Sequence, residues 1–291
     1  MAPFLHLGPL TIPTYGLMVA IAMVAAYFVL LTDFARRGIA DKQSPLAEMF
    51  IAIPCLAGIV GAKLYHELES PREFFADPIH HLFSQFGFAW FGGLIAGFAA
   101  FLLLARHYKI PLLEALDAGS PAAALGYGIG RIGCLLSGDG DYGVPTSLPW
   151  GMSFPNGLVP TSQRVHPTPI YEFVVACVIA WILWRIGERL IAAKGHAAGG
   201  GGAARDGKRS SGDVAGHSGS ERAGAVFAAY LVLTGVARFL VEFIRINPRS
   251  FFGITNAQAA SIVSIIAGAI LWWHATREAR VTIKSPVRQR P

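Results

Sequence analysis

Uncharged apolar runs close to the twenty or so residues that a helix needs to cross a bilayer recur along this chain. Short polar or charged stretches separate them. Seven membrane segments are expected from the pattern. They run from Thr14 to Thr32, Leu46 to His66, Phe88 to Ala105, Leu112 to Leu136, Pro169 to Leu190, Ala223 to Ile244 and Ala257 to Trp273. The fourth is the weakest, rich in Gly and Ala and interrupted by Arg131. The implied fold is an all-α polytopic membrane protein of about seven transmembrane helices. The N-terminal stretch MAPFLHLGPLTIPTYG has no basic region, so the first apolar run is expected to be a retained helix and not a cleaved leader.

Composition sharpens this into an exclusion. Of 291 residues, 24 are Lys or Arg and 18 are Asp or Glu, which is 14% charged. Soluble domains carry about 25%. With 53% hydrophobic residues and a mean hydropathy of +0.48, too few charges remain to cover a water-facing surface, which excludes a soluble enzyme. The net charge of +6 would suggest nucleic acid in a soluble protein. Here the basic residues are read instead as cytoplasmic loop charges, with no nucleic-acid partner. Placing the N-terminus outside gives the cytoplasmic segments 33–44, 105–111, 185–222 and the tail from 275 seventeen Lys or Arg, against four in the outer segments. The expected topology is therefore N-out and C-in, as a single domain over 1–291. A flexible, Gly-rich cytoplasmic linker is expected at about 195–222. Cys55, Cys134 and Cys177 stand alone in apolar segments, and neither a zinc site nor a disulfide framework is indicated.

Seventeen inner and four outer basic residues leave three inside the membrane segments: Lys63, Arg131 and Arg238. Each costs roughly 2.5–3.5 kcal/mol at a bilayer centre, so each should face a polar cavity or an anion. Lys63, close to a helix end, could simply snorkel to the interface. Arg131 lies in GYGIGRIGCLLSGDGDYG, among glycines that permit close backbone approach. Arg238, Glu242 and Arg245 fall at i, i+4 and i+7, so they are expected to share one face of the sixth helix. They form either a structural ion network or an anion cradle, with Glu242 orienting the arginines. The topology puts Lys63, Arg131, Arg245 and the Tyr171-Glu172 start of the fifth segment toward the outer side. An outward-facing, positive intramembrane cavity for a phospholipid headgroup follows, since a guanidinium fork suits phosphate.

The runs LGPLTIPTYGLM, WFGGLIAG, GRIGCLLSGDGDYG, HPTPIYE and RFLVEFIR, in this order, resemble prolipoprotein diacylglyceryl transferases over nearly the whole chain outside the Gly-rich stretch. The resemblance implies a bacterial inner-membrane enzyme with its site toward the periplasm. It would transfer the diacylglyceryl group of phosphatidylglycerol to the lipobox cysteine thiol in the signal peptide of a preprolipoprotein, and release glycerol phosphate. No metal and no organic cofactor is implied. By motif position, Arg131, Arg238 and Tyr15 match catalytic positions, while Gly143 (allowing one inserted residue) and Glu242 match positions of the phosphatidylglycerol site, which Arg131, Lys63 and Arg245 would complete. The chain departs from the family pattern at Cys134 (usually Asn), Asp139 (usually Glu), Lys63 (usually Arg) and Phe91, where a His proposed as base is common. A thiol with an ordinary pKa near 8.5 needs a proton acceptor, and Asp139, Asp141 and His166 are the candidates in the outer loop. Two alternatives stand beside this: the same fold and cavity with a different acceptor nucleophile, and a non-catalytic phospholipid-binding protein.

Overall fold

The computed structural model describes residues 2–69, 71–84, 87–199, 223–249 and 253–284. It is mostly helical. An N-terminal hairpin, β1 (Phe4–Leu7) and β2 (Leu10–Pro13), leads into α1 (Thr14–Arg37). Then follow α2 (Leu46–Glu69), the short α3 (Pro71–Ala76) and α4 (Pro78–Phe83), α5 (Trp90–His107) and α6 (Leu112–Ser137). A second hairpin, β3 (Met152–Phe154) and β4 (Thr161–Val165), precedes α7 (Thr168–Gly199). Last come α8 (Ala225–Val241), a 3-10 turn at Glu242–Ile244, and α9 (Asn256–Lys284). Among the described residues, six helices are long and apolar enough to cross a membrane: α1, α2, α5, the Thr168–Ala193 part of α7, α8 with its 3-10 turn, and the Asn256–Arg277 part of α9. The chain is thus a multi-pass membrane protein.

The fourth expected segment is present as the 26-residue α6 but is not among those six. Glu114, Asp117, Ser120 and Arg131 and a run of Gly and Ala lower its hydropathy without breaking the helix. The all-helical expectation also omitted the two hairpins, whose strands are three to five residues long and too short to show a periodicity. Of the expected linker, 195–199 continue α7, and 200–222 lie outside the described residues.

Two compact units divide the chain. One is Leu31–Ala115, in which α2 and α5 cross at glycine-to-glycine contacts. A Cβ on Gly61 would sit 2.6 Å from Gly92 O, and one on Gly92 would sit 2.3 Å from Gly61 O. Such crossings are the membrane's substitute for hydrophobic packing, because lipid is as apolar as Leu and close backbone approach supplies the attraction. At one end of this unit, Phe50 meets Phe34 and Phe101 edge-to-face, with ring centroids 5.3 and 5.1 Å apart. The buried Asp33 is held there by Arg36 and Arg37.

The other unit is Met1–Leu30 with Leu116–Pro291. Small residues again set the spacing: Gly128 of α6 faces Ala176 of α7, and Gly235 and Gly268 bring α8 against α9. Asp117 crosses to the start of α8 and accepts the backbone N–H groups of Gly224 and Phe227 at 2.9 and 2.8 Å. Those donors have no partner inside their own helix. At the start of α9, Thr255 and Gln258 form a reciprocal capping box at 3.0 and 3.1 Å. The segment between α6 and α7 folds over a small core of Tyr142, Phe154 and Val165, with the two rings stacked at 5.1 Å. This segment and the ends of α6, α7 and α8 carry the site.

Candidate functional site

Four elements of the second unit deliver charge to one place. Arg131 stands near the end of α6, Glu172 in the first turns of α7, Arg238 in the last turn of α8, and Asp141 in the loop after α6. Arg245 arrives differently from the expectation. It does not share a helix with Arg238, because α8 stops at Val241, the 3-10 turn tightens the next three residues, and Arg245 itself is extended. Its backbone pairs with Gly143 in an isolated bridge. The i+7 spacing is therefore incidental, and the bridge to the outer loop is what aims this side chain.

Gly143 has a packing role that accounts for it. A Cβ there would meet Ile244 O at 2.5 Å and His166 Cβ at 2.9 Å, so only glycine lets the loop lie flat against Ile244 and Arg245. Its N–H donates to His166 O at 2.8 Å, and Val144 N–H donates to Ile244 O at 2.8 Å.

The buried Glu172 is the hub of the cluster. Its Oε1 accepts from Tyr127 Oη at 2.6 Å and from Arg238 Nη1 at 3.0 Å, and lies 3.5 Å from Arg131 Nε. Its Oε2 accepts from Arg245 Nη1 at 3.2 Å. Tyr127 also receives Arg131 Nε at 3.1 Å and lies under its guanidinium, 5.0 Å from ring centroid to Cζ. Glu242 pairs with Arg238 Nη2 at 3.1 Å and lies 3.9 Å from Arg245 Nε, and it accepts Asn247 Nδ2 at 2.5 Å. Asp141 bridges the remaining faces of two arginines, with one carboxylate oxygen on Arg131 and the other on Arg245. Burial by itself would raise the Asp141 carboxyl, but these two guanidiniums outweigh it and hold the group below the usual carboxylate value.

Asp139 has the opposite environment. Burial first, and then the Asp141 carboxylate, push its carboxyl above the ordinary range. One of its oxygens accepts the Asp141 N–H at 3.2 Å. Cys134 Sγ lies 3.6 Å from Arg131 Nη1, and Cys134, Asp139 and Asp141 each have a ligand atom within 4.8 Å of the others. As a cation site this trio is poorly suited, since two arginines already balance Asp141.

The remaining expected residues fall into three settings. Tyr15, in the first turn of α1, packs on Gly133 of α6, where an added Cβ would meet its ring at 3.1 Å. His166 turns to Tyr171, with Nδ1 and Oη 3.3 Å apart, and Tyr171 in turn accepts Trp150 Nε1 at 2.8 Å. Lys63 belongs to the other unit. There it is buried, 3.5 Å from Glu67 and 5.2 Å from the Phe88 ring centroid, and it donates to Ser84 O at 3.3 Å.

Sequence reasoning alone does not single out Glu172 and Tyr127 as site residues. The i, i+4 spacing of Tyr127 and Arg131 and an acid at the start of an otherwise apolar helix were the available signs.

The family model for prolipoprotein diacylglyceryl transferase matches residues 3–200 and 214–274. The chain belongs to the prolipoprotein diacylglyceryl transferase family. Among similar members, a phosphatidylglycerol--prolipoprotein diacylglyceryl transferase of Clostridium tetani is 29% identical, covering 94% of this chain and 97% of its own. One of Geobacter sulfurreducens is 31% identical, over 83% of this chain and 81% of its own. A phosphatidylglycerol--prolipoprotein diacylglyceryl transferase 2 of Clostridium perfringens is 27% identical, over 90% and 91%. Within this family of transferases, the chain's arginine cluster lies inside the matched span, so the match and the site geometry bear on the same residues.

Proposed function

We propose that this protein transfers the diacylglyceryl group of phosphatidylglycerol to the lipobox cysteine thiol of a preprolipoprotein. The single observation that carries the reading to this site is the convergence of Arg131, Arg238 and Arg245 from three separate elements on shared carboxylates. In the reaction the glyceryl C–O bond to phosphate breaks, a C–S thioether bond forms, and glycerol phosphate leaves with the bonding electrons. Negative charge therefore grows on the departing phosphate. Preformed guanidinium donors stabilise that charge without reorganising at the moment of reaction. The thiol proton goes to a carboxylate, and Asp139 is the candidate favoured by its raised pKa and its place beside Cys134 and Asp141. Tyr15 and Gly143 support the cluster from α1 and the outer loop. Lys63 contributes a second positive site for the lipid, and His166 shapes the entry to α7.

The topology that goes with this function has α6 as a seventh span, the N-terminus outside, the C-terminus inside, and the site facing the periplasm from the inner membrane. The basic residues of the inner segments support it. A second reading, transfer to another nucleophile, draws on Phe91, which cannot accept a proton where a base is common in the family.

The test is direct. Purified protein with labelled phosphatidylglycerol and a lipobox peptide should yield a thioether product, and Arg131→Ala should reduce its rate by about 10²–10³-fold, as for the loss of one preorganised donor. Binding of phosphatidylglycerol without thioether product would sink the transfer reading. Product on a different thiol or amine, with none on the peptide, would establish the second.

A further inference from the structure

Six charged groups make up the cluster: Arg131, Arg238 and Arg245 against Asp141, Glu172 and Glu242. Three guanidiniums and three carboxylates leave this ion-paired set neutral, with Asp139 beside Asp141 but in none of its ion pairs. A phosphodiester brings one negative charge, and seating it beside all three carboxylates would leave a partly dehydrated site with an unbalanced anion, which is strongly unfavourable. One carboxylate has to give way.

The three differ in their freedom to do so. The side chains of Glu172 and Glu242 are 5% and 0% exposed and belong to α7 and the 3-10 turn that ends α8. Glu172 is gripped by Tyr127 and all three arginines. The Asp141 side chain is 30% exposed, sits on the loop after Gly140 (φ +93°), and holds two guanidiniums and nothing else among the described contacts of its carboxylate. Its backbone is anchored meanwhile. Thr168 Oγ1 donates to Asp141 O at 2.5 Å, Arg245 Nη1 donates to the same oxygen at 3.4 Å, and its N–H is taken by Asp139. Rotation of one short side chain toward solvent, with no movement of the loop, frees both arginines together. The cluster then carries one net positive charge, which matches one phosphodiester.

We propose that Asp141 is an affinity-determining residue, whose carboxylate occupies the seat between Arg131 and Arg245 that the lipid's phosphate takes, and is exchanged for it one charge for one. This rests on the reading that the arginine cluster receives the phosphate of phosphatidylglycerol. While the seat is free of lipid, Asp141 keeps the two guanidiniums oriented and neutralised. When the lipid arrives, the same carboxylate is a competitor, and the observed affinity is the intrinsic one reduced by that competition.

The experiment measures equilibrium binding to the full chain in wild-type, Asp141→Asn and Asp141→Ser forms. Three probes are compared: phosphatidylglycerol in nanodiscs, free glycerol phosphate, and diacylglycerol, which lacks phosphate. Removing the competing charge should tighten phosphatidylglycerol binding by about fivefold to tenfold and leave diacylglycerol unchanged. A parallel gain for free glycerol phosphate means the seat is open to water. A gain for the lipid alone means it is reached only from the bilayer, and either result supports the exchange. Unchanged or weaker binding of both phosphate probes, or an equal gain for diacylglycerol, would overturn it. So would failure of both variants to fold, since Asp141 would then be a structural counter-ion. The transfer reading is judged separately, by thioether formation in the wild type. A wild type that makes no product beside an Asp141→Asn that binds phosphate more tightly would remove the transfer reading and keep the seat.

Discussion

Arg131 and Arg238 announce themselves in the sequence because a cation in an apolar helix is expensive, and expense marks function. Glu172 gives no such warning. It opens a helix, where an acid is ordinary, and its role exists only because α6, α7, α8 and the outer loop meet around it. A chain of residues carries no record of that meeting, so the hub was legible only as a neighbour of the expected site. The consequence can be measured. Glu172→Gln keeps the volume and removes the charge, which leaves three arginines facing two carboxylates in a buried setting. Breaking a buried ion pair on one side costs about 3–5 kcal/mol. The variant should therefore lose heat resistance in detergent by many degrees, while Glu188→Gln, at the exposed pair with Arg185, should lose little. Equal, small losses in both would show that the arginines do not depend on Glu172.

Helices carry their own evidence in different degrees. The strongly apolar spans were legible to within a few residues, because length and hydropathy set them, although α7 and α9 continue as helix well beyond their apolar parts. What joins α2 to α5 was not legible, since glycines in an apolar run are equally compatible with lipid and with a partner helix. In the structure, Gly61 and Gly92 touch backbone to backbone, whereas Gly16 of α1 has nothing within 4 Å of where its Cβ would be. Gly61→Ala would place a methyl group 2.6 Å from Gly92 O and 2.3 Å from Ala96 Cβ, so the helices must move apart. Overpacking of this kind costs about 1–3 kcal/mol. Gly16→Ala meets no obstacle and gains about 1 kcal/mol of helix propensity. Half-lives at a fixed elevated temperature should shorten for the first and lengthen or hold for the second. A Gly61→Ala variant as durable as the wild type would mean that the α2–α5 crossing is looser than its glycines indicate.

For the molecule as a whole, the open matter is whether α6 crosses the membrane, and parity makes it decidable. An odd number of spans puts the termini on opposite sides, and an even number puts them on the same side. With α6 crossing, the loops and tail outside the helices divide their Lys and Arg seventeen inside to four outside. Without it, segments 185–222 and the tail from 275, which hold seven and five, change sides relative to 33–44 and 105–111, and the best division falls to thirteen against eight. Basic loops resist translocation, so the proposed seven-span arrangement is the one the charges favour. The glycines and polar residues that weaken α6 as a lipid-facing helix fit a span with protein neighbours, as Gly128 against Ala176 and Gly133 against Tyr15 indicate. Fusions of alkaline phosphatase, active only outside, and of a fluorescent protein that folds inside should follow suit. A junction after Tyr108 should report inside, one after Leu148 outside, and one after Pro291 inside. The same side at Tyr108 and Leu148 would show that α6 does not cross, and the arginine cluster at its end would then face the compartment of the 105–111 loop.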